Sequence, residues 1–237
     1  MPNFSLSDAI FEDAAARFST PFHLYDERGI RERARRLKAA FAWCPDFREY
    51  FAVKALPNPA VLRVMKEEGC GLDCSSATEL TLAKACGFSG EEVILSANAM
   101  PPEEFTQARA MGALINLDDL TDIELLRTHG GIPSVVCLRY NPGGAFSIGN
   151  TIMGNPGEAK YGFTLPQLKE GLAILKEAGV TAFGLHAFLA SNTIDPAYFP
   201  GLAEVLLSLG KELSAAFGLR FAFADLSGGI SIPYRPE

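Results

Sequence analysis

A lysine, Lys54, stands near the end of the short apolar run Tyr-Phe-Ala-Val-Lys-Ala at residues 50–55, and Leu-Pro-Asn-Pro follows at once. An amine held among apolar neighbours has its charged form disfavoured, and once neutral it attacks an aldehyde carbon to give a Schiff base. A second feature lies far along the chain, where Ser227, Gly228 and Gly229 follow the apolar run 221–226. Where side chains are missing, backbone N–H groups can close on an anion such as phosphate. Each feature also has a plainer reading, a lysine snorkelling from a strand end and an ordinary turn. The five cysteines (Cys44, Cys70, Cys74, Cys86, Cys137) are odd in number and scattered, which describes reduced core thiols rather than a disulfide framework. Cys70 and Cys74 have no second Cys or His pair near them in sequence, and His23, His129 and His186 are distant, so no metal site is expected.

The elements that hold these groups can be read from apolar runs and their punctuation. Strands are expected at 50–55, 71–74, 93–97, 113–117, 135–140, 182–189 and 221–226. Between them lie helix starts: Pro59, the capping box Ser76-Ala-Thr-Glu79, Pro101-Pro102, and Thr164-Leu-Pro-Gln167. Strict alternation of this kind predicts an α/β fold of the (β/α) barrel type, with Lys54 at a strand's C-terminal end, where barrel enzymes keep their chemistry. An open doubly wound sheet would place Gly-x-Gly-x-x-Gly after its first strand, and this chain has Lys-Ala-Leu-Pro-Asn-Pro there. A reactive amine after the first strand and a phosphate loop after the last together describe a site for pyridoxal phosphate.

Composition narrows the remaining classes. With 237 residues, 48% hydrophobic and 21% charged, the chain is long enough for one large domain. A net charge of -7, without a polybasic segment beyond Arg28 to Lys38, argues against nucleic acid as a partner. That basic stretch places Ile30, Ala34 and Leu37 at helical spacing and reads as one solvated helix face. No apolar run is long enough to span a bilayer, and the N-terminus lacks an export signal, so a cytoplasmic location without membrane contact is expected.

Several segments then match one family in one order. They are Thr20-Pro-Phe-His-Leu-Tyr-Asp26, residues 50–55, Gly71-Leu-Asp-Cys-Ser-Ser-Ala-Thr-Glu79, Leu138-Arg-Tyr-Asn-Pro142, Glu158-Ala-Lys-Tyr-Gly162, Gly184-Leu-His-Ala-Phe-Leu-Ala-Ser191 and the Ser-Gly-Gly loop. The chain resembles the pyridoxal-phosphate decarboxylases with an alanine-racemase-like barrel, and among them the diaminopimelate decarboxylases. The resemblance implies a (β/α)8 barrel over residues 27–237, preceded by a segment 1–26 whose strand 21–25 joins a separate β domain. It implies that Lys54 holds pyridoxal 5'-phosphate covalently, that Ser191, Ser227, Gly228 and Gly229 hold its phosphate, and that Asp73, Glu79, Arg139 and His186 surround it. The implied reaction is decarboxylation of an amino acid, meso-diaminopimelate to lysine, by a homodimer. Structural roles stay open beside these: Glu79 completes a capping box, Asp73 and Arg139 can pair across strand ends, and His186 can be a satisfied core histidine.

Three departures from the family pattern stand out. The family's His-x-His-Ile-Gly-Ser run reads His186-Ala-Phe188-Leu-Ala-Ser191, so Phe188 takes the place of the histidine that stacks on the cofactor. A phenyl ring stacks but offers no hydrogen bond. Ser227 stands where the first of three glycines is usual. The closing barrel strand with its Glu-Pro-Gly-Arg segment, and the β domain that supplies a cysteine across the dimer, have no counterpart before Glu237, and a fragment of a longer enzyme is the expectation.

Overall fold

A computed structural model describes residues 7–143 and 161–232. Glu158, Ala159 and Lys160 of the Glu-Ala-Lys-Tyr-Gly run, and the chain from residue 233 on, lie outside the described residues. Seven parallel strands pair in sequence order. They are β1 (Tyr50–Ala52), β2 (Gly71–Cys74), β3 (Val93–Ser96), β4 (Leu114–Leu117), β5 (Val135–Arg139), β6 (Ala182–His186) and β7 (Arg220–Asp225). The helices among the described residues are α1 (Asp8–Arg17), α2 (Glu27–Ala40), α3 (Pro59–Glu67), α4 (Ala77–Ala85), α5 (Pro102–Met111), α6 (Leu120–His129), α7 (Leu165–Glu177) and α8 (Tyr198–Phe217). The seven strands expected between residues 50 and 226 are present, as is the expected alternation with helices. Residues 21–25, for which the resemblance implies a strand joined to a separate β domain, pair with none of these seven.

Alternation along each strand divides the residues between two environments. Leu72, Cys74, Val93, Leu95, Val136, Leu138, Phe183 and Leu185 pack in the core beneath the helices. Their neighbours Asp73, Ser96, Asn116, Arg139, His186 and Asp225 take the other face. On a flat sheet β2 and β7 would stand roughly 24 Å apart, five spacings of about 4.8 Å. Asp225 nevertheless pushes up the Asp73 carboxyl, and the charge of Lys54 beyond β1 acts on His186 of β6. The sheet is therefore curled in the manner of a barrel, and among the described residues β1 and β7 each pair on one side only. Lower in the lumen Gly184 makes room for the Phe223 ring, since a Cβ there would lie 2.4 Å from Phe223 Cζ.

Helix ends follow the sequence signals. Pro59 opens α3 with the Asn58 side chain accepting from the Ala60 N–H at 2.9 Å. Thr164 and Gln167 form a reciprocal capping box at α7. All five cysteines are free, and Cys70, Cys74, Cys86 and Cys137 are buried. No described helix is long and apolar enough to cross a membrane.

The basic stretch is more than a solvated face. Ile30 and Ala34 of α2 pack on Val61, Met65 and Cys70, and the guanidinium groups of Arg31 and Arg35 close over Glu68. Arg35 makes two bonds to this carboxylate, both at 2.7 Å, and Arg31 adds one at 3.0 Å. These bonds, with Arg35's the larger effect, hold the Glu68 carboxyl down to about 2. A carboxyl lowered in the folded state contributes stability that is complete above its ordinary value and is lost as pH falls toward the folded one. Glu68→Gln should therefore loosen α2 at neutral pH, measured as faster proteolysis within 27–40, and should flatten the acid dependence of that cleavage between about pH 4.5 and 2.

Candidate active site

Lys54 sits beyond β1, because the strand stops at Ala52 and Val53–Ala55 form one turn of 3-10 helix. This corrects the expectation of a strand to residue 55 with an apolar-flanked amine: Lys54 is exposed at the rim, with Asp73 and His186 feeling its charge. The early turn arises because Asn58 and Pro59 start α3 only a few residues on, leaving no length for a longer strand.

Register fixes the groups that face it. Ala52 lies opposite Asp73, while Arg139 pairs with His186 and His186 with Asp225. Asp73 Oδ1 is enclosed and has no hydrogen-bond partner among the described residues. Burial first, and the Asp225 carboxylate second, push the Asp73 carboxyl up to about 7. His186 is 3% exposed, and its Nδ1 also has no described partner. Burial, then the charges of Arg139 and Lys54, hold its pKa well below the usual imidazole range, so the ring is neutral. It is a buried histidine with one ring nitrogen that lacks a hydrogen-bond partner among the described residues.

Arg139 and Glu79 are already engaged. The Arg139 guanidinium pairs with Asp118 Oδ1 at 3.0 Å, donates to Ser96 Oγ at 3.2 Å and to Asn98, and lies over the Tyr161 ring. Its Nε has no described partner. Of the two cross-strand pairings left open by the sequence, Arg139 makes one and Asp73 does not. The Glu79 carboxylate accepts from the Ser75 N–H at 2.8 Å and sits within 3.2 Å of the Ser75 hydroxyl, while Ser76 Oγ accepts from the Glu79 N–H at 3.3 Å. The capping box is thus displaced by one residue, and it anchors the turn that follows Asp73.

The loops after β6 and β7 are zipped together. The Thr193 N–H donates to the Gly229 carbonyl and the Ser231 N–H to the Thr193 carbonyl, both at 2.9 Å. Ser227 has φ 45° and Gly228 φ 86°, the left-handed region in which a serine is strained and a glycine is not. The Ser227 N–H is taken by Asp225 Oδ1 at 2.9 Å. The Gly228 and Gly229 N–H groups have no acceptor among the described residues. A Cβ on Gly229 would stand 3.7 Å from Ser191 Oγ, and one on Gly228 3.0 Å from the Ala190 carbonyl. Phe188 is half-buried at the start of the first loop. An amine, two enclosed polar atoms without partners among the described residues and a glycine loop would suit pyridoxal phosphate: Lys54 would take its aldehyde, Asp73 and His186 would meet the ring, and Ser191 with the glycine N–H groups would meet its phosphate.

Comparison with known proteins gives the family. Residues 27–237 match the family model described as pyridoxal-dependent decarboxylase, pyridoxal binding domain. The chain belongs to this family. Among its relatives, the diaminopimelate decarboxylase of Methanothermobacter thermautotrophicus is 33% identical over 98% of this chain and 54% of its own length. Protein TabA of Pseudomonas amygdali pv. tabaci is 32% identical over 95% of this chain and 53% of its own. The chain thus spans about half the length of the curated relatives it matches. The crystal structure of the M. jannaschii diaminopimelate decarboxylase in complex with L-lysine superposes with a TM-score of 0.84 at 23% identity, over 95% of this chain and 54% of that one.

Sequence reasoning missed Ser96, Asn98, Asn116, Asp118 and Asp225. Asn116, wholly buried, donates to Ser96 Oγ at 2.9 Å, and its Oδ1 has no partner among the described residues. The available signal was a polar residue at the lumen parity of an otherwise apolar strand, as in Val-Ile-Leu-Ser and Leu-Ile-Asn-Leu. The raised Asp73 carboxyl makes a testable statement about the protein without its cofactor. Folding retains a proton that the unfolded chain has released, so Asp73 lowers stability as pH rises from about 4 to about 7 and the full burden remains above that. Asp73→Asn should raise the melting temperature at pH 8 by the equivalent of about 1–2 kcal/mol and have little effect at pH 4, read by calorimetry.

Proposed function

We propose that the protein is a cytoplasmic pyridoxal-phosphate-dependent amino-acid decarboxylase, homodimeric, whose leading substrate is meso-diaminopimelate and whose products are lysine and carbon dioxide. The observation that supports this reading is that Lys54 and Asp225 both act on Asp73, while Asp225 lies opposite His186 in the ladder and accepts the Ser227 N–H at the start of the glycine loop. The names of relatives near 33% identity support the substrate, and other basic amino acids or carboxynorspermidine-type substrates are its rivals. When bound, pyridoxal phosphate supplies an electron sink for the pair left behind by a departing carboxylate. Lys54 would supply the amine that holds the group through its aldehyde and would give it up to an incoming substrate amine. Asp73, supported by the turn that Glu79 anchors, and the neutral His186 would offer it hydrogen-bonding atoms. Ser191 and the glycine N–H groups would hold its phosphate, with Ser227 shaping the loop. Arg139, fixed by Asp118 and Ser96, keeps a positive charge beside the site.

A second reading, a pyridoxal-phosphate-binding homologue without turnover, is favoured by Phe188 alone, because a phenyl ring cannot hydrogen-bond where the family's histidine does. A screen of meso-diaminopimelate, lysine, ornithine and carboxynorspermidine for carbon dioxide release separates the two readings and ranks the substrates.

Two measurements address the residues directly. Borohydride should fix pyridoxal phosphate to the peptide containing Lys54, and Lys54→Ala should abolish the yellow absorbance of the complex; label recovered on Lys38 or Lys66 instead would refute the assignment. Phe188→Ala should weaken cofactor binding by about 1 kcal/mol, the scale of a lost aromatic stack. Unchanged affinity in that variant, with a large loss in His186→Ala, would assign the stacking ring to His186.

A further inference from the structure

Tyr198 is completely buried at the first position of α8, and its hydroxyl oxygen accepts two backbone N–H groups, Leu189 at 3.2 Å and Ala190 at 3.1 Å. Leu189 and Ala190 are themselves 6% and 1% exposed, so water has little access to either donor. These amides lie between Phe188 and Ser191, in the loop that brings the Ser191 hydroxyl to the cradle. The same ring supports the other half. A Cβ on Gly228 would lie 3.5 Å from Tyr198 Cε1 and 3.6 Å from Phe199 Cε1, and the two aromatic rings meet edge to face at 5.0 Å. Beyond the ring the loops are tied by the Thr193 and Gly229 backbone bond, and Thr193 Oγ1 accepts from the Asp195 N–H at 3.2 Å just before α8 begins.

We infer that Tyr198 is a positioning residue for the phosphate end of the cofactor: one buried oxygen sets the β6 loop while its ring sets the height of the β7 glycine loop. The inference rests on the proposed role of the cradle. Removing the oxygen leaves two enclosed N–H groups without an acceptor, and the loop must shift to satisfy them, taking Ser191 with it. Because the ring remains in Tyr198→Phe, the packing against Gly228 and Phe199 is retained.

The test compares pyridoxal phosphate with pyridoxal, which lacks the phosphate, in titrations of the wild-type chain and Tyr198→Phe. The expected result is an affinity for pyridoxal phosphate about tenfold weaker in the variant, with the affinity for pyridoxal changed less than about twofold. A merely structural role would weaken both ligands alike, and that outcome, or an unchanged preference for the phosphorylated form, overturns the inference while leaving the proposed function standing. A wild-type chain with no preference for the phosphorylated form overturns both. Amide hydrogen exchange on the wild type gives a measurement that needs no variant. Exchange at Leu189 and Ala190 should slow with pyridoxal phosphate and not with pyridoxal, and equal exchange under both overturns the assignment.

Discussion

Parallel strands have one direction, and that constraint organises this molecule. Because all seven run the same way, their C-terminal ends reach one rim, and period-two alternation then turns one polar residue from each of β2 to β7 into a common space. Asp73, Ser96, Asn116, Arg139, His186 and Asp225 come from segments far apart in the chain and meet only because the ladders are in register. The helices supply the opposite face with its apolar core. Once that core fixes which residues point outward, the inward set has no freedom left. The resulting lumen holds carboxylates, a guanidinium and a neutral imidazole at close quarters, where each charge is felt by several others.

Much of this architecture is legible in the residues. Apolar runs located every strand, and Pro59, Pro102, Ser76 and Thr164 marked helix starts, because these signals act within a few residues. Lys54 was recognisable by its place between a strand and a proline-started helix, although the strand proved shorter than its apolar run. What the local pattern hides is partnership. Glu68 reveals nothing of Arg31 and Arg35, more than 30 residues earlier, and Asp118 nothing of Arg139. Asp225 read only as the edge of a glycine loop, while its carboxylate both fixes Ser227 and acts on Asp73. Such pairings are decided by register and curl.

Two departures from the family pattern have different physical characters. Phe188 changes chemistry without disturbing the backbone, for a half-buried phenyl ring fits the loop and only the hydrogen-bonding atom is gone. Ser227 changes conformation, since a side chain is held at φ 45° where glycine is unstrained. The Asp225 carboxylate offsets that strain by accepting the Ser227 N–H. Asp225 thus works as a hinge pin between the lumen and the anion cradle.

The thiols bring a further consequence. An aldehyde cofactor can react with sulfur as well as with nitrogen, and two cysteines sit on strands that bear site residues: Cys74 next to Asp73 and Cys137 two residues before Arg139. Both are deeply buried, and burial together with nearby carboxylates drives their pKa values far above the ordinary thiol range. Neither forms the thiolate that nucleophilic attack requires. The sulfur on these two strands is thus withheld from an aldehyde, and an amine at the rim meets no competing thiolate from them.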